Sequence, residues 1–78
     1  MQPESLKFLY DMQTACIQAA RFVEGRTVED YLQDAMLRSA VERQMAIVGE
    51  ALSQALRRDP DLEQRITDAR RIVAFRNV

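Results

Sequence analysis

Four residues punctuate this chain by their own backbone chemistry: Pro3, Gly25, Gly49 and Pro60. The stretches between them are dominated by Ala, Leu, Gln, Glu and Arg, the residues that cost least in a helix. The expected fold is therefore all-α. Seventy-eight residues make one domain, spanning 1–78, near the size at which a lone apolar core only just holds a fold together. Apolar residues are 47% and charged residues 29% of the chain, a globular balance rather than that of a disordered one.

Ser5 reads as an N-cap, its hydroxyl accepting from the first turn. A helix from there to about Glu24 would end at Gly25, which can take the positive φ of a C′ residue. At about 100° per residue, Phe8, Leu9, Met12, Cys16, Ala19 and Val23 share one stripe. Leu6, Tyr10 and Ile17 make a second patch away from it, open either to a partner subunit or to the rest of the chain. Thr27, followed by Glu29 and Asp30, opens a short connector helix through Tyr31 and Leu32, with its acidic residues where the helix dipole favours them.

A long helix is expected from about Asp34 to Arg57. Its wide apolar face takes in Leu37, Ala40, Val41, Met45, Ile47, Val48, Ala51, Leu52, Ala55 and Leu56. Gly49 lies off that face, where it reads as either a close helix approach or simple tolerance. Asp59 and Pro60 read as the N-cap and first residue of another short helix over 61–66. Thr67 then caps a final helix from Asp68 that is still running at Val78, an incomplete element with neither cap nor glycine. The predicted architecture is a small antiparallel bundle: two long helices, a short connector, and a C-terminal helix laid across them.

The net charge is −1, so no global positive field draws the chain to nucleic acid. Ten of its eleven basic residues are arginines, which leaves room for a local basic face. One cysteine, Cys16, forbids an internal disulfide and sits in the expected buried stripe. No apolar run approaches a membrane span, and the N-terminus lacks a basic export region; the chain reads as cytoplasmic. With no histidine, a Ser-His-Asp or Cys-His triad and a histidine-based metal site are both impossible. There is no glycine-rich phosphate loop and no cation-binding acidic spacing. No cofactor and no metal are expected.

Three sets of polar residues break the apolar pattern. Gln44 falls near the centre of the long helix's stripe, where an amide left without partners costs about 1–3 kcal/mol, so an internal hydrogen bond is expected. Arg76 lies four residues after Ile72 and seven after Ala69, on the inward face of the last helix. A guanidinium there stays charged and needs a carboxylate, a phosphate or a route to solvent; Glu50 and Asp11 are its internal candidates. Arg43, Glu50 and Gln54 line one flank of the long helix, and the sequence alone favours a solvated edge over the wall of a groove.

Two stretches carry a resemblance. The run from Ala40 to Ala51, AVERQMAIVGEA, resembles the long-helix signature of the HepT-like branch of the HEPN superfamily, with Arg43, an amide at Gln44, and Gly49-Glu50-Ala51 in that family's order. Ile72-Val73-Ala74-Phe75-Arg76-Asn77-Val78 resembles its catalytic helix, in which Arg-Asn-Val precedes an apolar pair, a His and a Tyr. Leu9-Tyr10-Asp11-Met12 matches the first helix more loosely. The resemblance implies a helical, dimeric, metal-independent endoribonuclease acting on RNA. It is the toxin half of a toxin–antitoxin pair whose other half is an MntA-like nucleotidyltransferase that can modify the tyrosine with AMP. Carried over, Arg76 binds the scissile phosphate and Asn77 stands beside it; Gln44 takes the place of a preferred Asn.

The histidine and tyrosine of that motif would fall after Val78. General acid–base help contributes about 10²–10⁴-fold, so these 78 residues by themselves are expected to be a weak nuclease at best. The competing reading is a non-enzymatic helical module that dimerises through Leu6, Tyr10 and Ile17 or holds a nucleotidyltransferase partner. Nonspecific RNA binding by the arginines is a weaker third, given the acidic net charge.

Overall fold

A computed structural model describes residues 3–66 and residue 69. Among these residues all regular structure is helical: α1 (Pro3–Val23), α2 (Val28–Gln33), α3 (Ala35–Arg58) and α4 (Leu62–Arg65). The two long helices pack antiparallel against each other, and α2 and α4 close the two ends of α3. The all-α expectation, the two long helices and the connector all hold. Thr67 and Asp68, read as the cap and start of a final helix, lie outside the described residues, as do Arg76 and Asn77.

Local chemistry accounts for most of the boundaries. Pro3 fits the first turn of α1, where its missing N–H has no helical acceptor to lose. Gly25 follows the helix with φ +73°, the left-handed conformation that a Cβ disfavours. Thr27 and Asp30 form a reciprocal capping box: Asp30 N–H donates to Thr27 Oγ1 at 3.0 Å and Thr27 N–H to Asp30 Oδ2 at 2.9 Å. Asp34 caps α3 by accepting from Leu37 N–H at 3.0 Å. No side chain of α2 is buried. The connector is held instead by Arg38, which donates to the carbonyls of Tyr31 and Leu32, and by the Arg26–Asp34 ion pair at 3.6 Å.

The core is built from α3. Leu52 is fully buried among Ala55, Leu56, Leu62 and Ala69, with Phe8, Met12 and Ile66 packed against the cluster. On α1 the inward face runs through Ser5, Phe8, Met12, Ala15 and Ala19, with Phe22 half-buried. This is a correction to the stripe read from the sequence, turned by about 40° at 100° per residue. Cys16 is exposed, and Val23 also reaches solvent. The reason is volume: α3 supplies Val48, Leu52 and Leu56, and close packing sets small residues of α1 opposite large ones. Gly49, placed off the apolar face by periodicity, is buried.

Two expected caps are corrected as well. Ser5 is not an N-cap: it lies inside α1, completely buried, and its hydroxyl donates to the Asp59 carboxylate 54 residues away. Asp59 does not cap the following helix either. It is the C-cap of α3, its N–H bonded to the Ala55 carbonyl at 2.9 Å. The cap of α4 is Asp61, without a side-chain hydrogen bond. A hydroxyl taken out of water must find an acceptor inside, and that demand overrides the local preference of both residues for caps.

Candidate functional site

Between α1 and α3, on the flank away from Leu52 and Leu56, runs a groove of about 380 Å³. Its apolar part comes from Phe8, Ala15, Ala46, Ile47 and Ala51; its polar part from Tyr10, Asp11 and Thr14 of α1 and Arg43, Gln44, Glu50 and Gln54 of α3. Spacing explains the α3 wall: Arg43, Ile47, Glu50 and Gln54 follow one another at intervals of four, three and four residues, and so share one side of the helix. Tyr10 and Thr14 stack in the same way on α1, with Asp11 beside them.

One end of the groove is organised. Arg58 donates to the Gln54 side-chain oxygen at 3.2 Å, and Gln54 in turn donates to Glu50 at 3.2 Å. The Arg58 guanidinium also stacks 4.9 Å from the centre of the Phe8 ring, a geometry that aligns cation and ring quadrupole. The other end is open. Arg43 and Gln44 there have no side-chain hydrogen bond or ion pair among the described residues, and neither has Asp11, which lies within one turn of Phe8 at the organised end. Gln44 is half-buried and lines the groove.

All five polar residues singled out on the described part of the chain, Asp11, Arg43, Gln44, Glu50 and Gln54, therefore line one groove. This corrects two expectations. The internal hydrogen bond expected of Gln44 is absent among the described residues, and Arg43, Glu50 and Gln54 wall a groove instead of forming a plain solvated edge. Sequence reasoning missed Tyr10 and Thr14 as groove residues. The available signal was their position one helical turn apart, on the side of α1 next to Asp11. Among the described residues no cluster of His, Cys, Asp and Glu has the makings of a metal site, and no described helix is long and apolar enough to cross a membrane.

The family model described as ribonuclease HepT-like matches residues 12–78. The chain belongs to the HepT-like ribonuclease family. No curated protein and no solved structure matches the chain. The family match takes in all of α3, and with it Arg43, Gln44, Glu50 and Gln54 on one wall of the groove. On the other wall it includes Thr14 and Ala15, whereas Phe8, Tyr10 and Asp11 precede its first residue.

Proposed function

We propose that this HepT-like chain is the toxin subunit of a toxin–antitoxin pair. Its activity in the cytoplasm is metal-independent cleavage of RNA, with strands entering along the α1–α3 groove. The observation that carries the reading is the family match over residues 12–78 joined to the convergence of Asp11, Arg43, Gln44 and Glu50 on one groove. Arg76 is the phosphate-binding residue, with Asn77 beside it. The two carboxylates that the sequence offers to an inward Arg76, Asp11 and Glu50, line that groove from opposite helices.

In this reaction the RNA 2′-oxygen attacks the adjacent phosphorus and the bond to O5′ breaks, leaving a 2′,3′-cyclic phosphate and a free 5′-hydroxyl. The 2′-proton passes to a base and the departing O5′ takes up a proton, the task of the motif histidine. A guanidinium suits the remaining need, because its paired N–H groups meet two phosphate oxygens at once and offset the charge that builds on them. A second copy of the chain completes the cleft, and an MntA-like nucleotidyltransferase is the antitoxin.

The first test is the reading frame after Val78. An apolar pair, then His and, after one intervening residue, Tyr supports the enzyme; a stop codon supports an interaction module. In a chain carrying that histidine, Arg76→Ala slows RNA cleavage by about 10²–10³-fold with the size in solution unchanged. Cleavage at the parental rate removes Arg76 from the mechanism, and unfolding marks it as a structural ion-pair member. The interaction module has its own support: Leu6, Tyr10 and Ile17 are 57%, 66% and 46% exposed on one side of α1, an apolar patch suited to a second copy or a protein partner.

A further inference from the structure

Two contacts at the organised end fix the alignment of α1 and α3. Ser5 bonds to Asp59 at the C-terminal end of α3, and Phe8 lies against Arg58. Sixteen residues after Ser5 is Arg21, and sixteen before Asp59 is Arg43. At about 1.5 Å per residue, each stands about 24 Å along its helix from that contact, so the antiparallel pair sets them at one level. Arg43 lines the groove. Arg21 follows Thr14, a lining residue of α1, by two helical turns and so falls on the groove side of that helix. Packed helix axes lie about 8–10 Å apart, within the combined reach of two arginine side chains.

Both arginines are exposed, and neither makes a side-chain hydrogen bond or ion pair among the described residues. Glu24, three residues after Arg21, and Glu42, beside Arg43, form no ion pair with them. The carboxylates of the groove lie further off. Glu50 is engaged by Gln54 and stands seven residues from Arg43, about 10 Å along the helix, a range at which salt screens exposed charges. Asp11, within one turn of Phe8, belongs to the far end. The groove is therefore divided, negative towards Gln54 and positive at Arg21 and Arg43. Gln44 adds amide donors at the positive end.

Resting on the ribonuclease reading, we propose that Arg21 and Arg43 clasp one phosphate of the RNA strand, distinct from the phosphate that is cleaved, and so position the strand along the groove. Two like charges at one level repel each other. An oxyanion set between them turns that repulsion into attraction, and its oxygens meet N–H groups from both guanidinium forks. The Gln44 amide donates a further, neutral hydrogen bond. The cleaved phosphate belongs to Arg76 in the proposed reaction. Contacts of this kind fix position and carry no base preference.

The test uses the 78-residue chain with labelled dodecauridylate and dodecacytidylate, affinities being read by fluorescence anisotropy over a series of salt concentrations. Arg21→Gln and Arg43→Gln are each expected to weaken binding about three- to tenfold at low salt, by the same factor for both strands. In the double variant the slope of log affinity against log salt falls by about 0.7, the share of one phosphate on a single strand. Arg65→Gln makes the same charge change on the exposed side of α4, away from the groove, and is expected to leave affinity within about twofold. Circular dichroism and a size measurement confirm that each variant keeps its fold and oligomeric state.

Unchanged binding by the double variant overturns the clasp and leaves the RNA reading standing. An equal loss with Arg65→Gln does the same, because it marks a diffuse charge effect. A fall in slope of about 1.4 in the double variant gives each arginine its own phosphate and overturns the shared one. If the variants change the oligomeric state, the arginines belong to an interface between copies and the phosphate assignment fails. Should the parent chain bind neither strand, the RNA reading falls, and the clasp with it.

Discussion

Helix α3 faces two environments and treats its polar atoms differently in each. Towards the core it presents Val48, Leu52, Ala55 and Leu56. At that end even the polar groups are matched, the buried Ser5 hydroxyl finding the Asp59 carboxylate. Towards the groove it presents Arg43, Gln44, Ile47, Glu50 and Gln54, and the open end leaves Arg43 and Gln44 without partners among the described residues. Folding selects for satisfied groups in the first environment. The second is open to solvent, where donors and acceptors need no protein partner.

Substitutions on the two faces should separate accordingly. Leu52→Ala, which opens a cavity beside Leu56 and Leu62, is expected to cost about 2–5 kcal/mol in urea denaturation; a loss below 1 kcal/mol would mean the core collapses around the gap. Ser5→Ala leaves the Asp59 carboxylate without its hydroxyl donor and is expected to cost about 1–3 kcal/mol. Asp59→Asn, which can still accept from Ser5, should cost less. If the two variants are equally mild, the Ser5–Asp59 bond contributes little to closing that end.

Arg58→Ala probes the border between the faces. It removes the guanidinium from Phe8 and from Gln54, with an expected loss of about 0.5–1 kcal/mol for an exposed pair, read as a lowered melting temperature. Gln44→Leu is expected to change stability least, by no more than about 0.5 kcal/mol, or to raise it, because an unpartnered amide gives way to an apolar side chain. A large loss on Gln44→Leu would erase the contrast between the faces and assign the amide to the fold.

Much of the helical layout was legible before any coordinates. The Thr27 cap, the positive φ at Gly25, the start of α3 beside Asp34 and the apolar residues of α3 follow from interactions within one or two helical turns. The rotation of α1 was not legible, because the choice between Cys16 and Ala15 as the inward residue depends on how bulky the opposing helix is. Ser5 and Asp59 each carry a strong local cap signal, and only the meeting of chain segments 54 residues apart shows that they bond to each other.

The candidate site divides along the same line. The order of Arg43, Gln44, Gly49 and Glu50 along α3, and the likeness of that run to the HepT-like ribonucleases, belonged to the sequence. Whether those residues edged open solvent or walled a groove depended on the antiparallel seating of α1, which brings Tyr10, Asp11 and Thr14 to the other wall. Helical period and capping are local physics, settled within a turn by hydrogen bonds and side-chain entropy. The packing of one helix on another is settled by the fit of volumes and buried polar groups contributed by both, and no single stretch of sequence holds both halves of that fit.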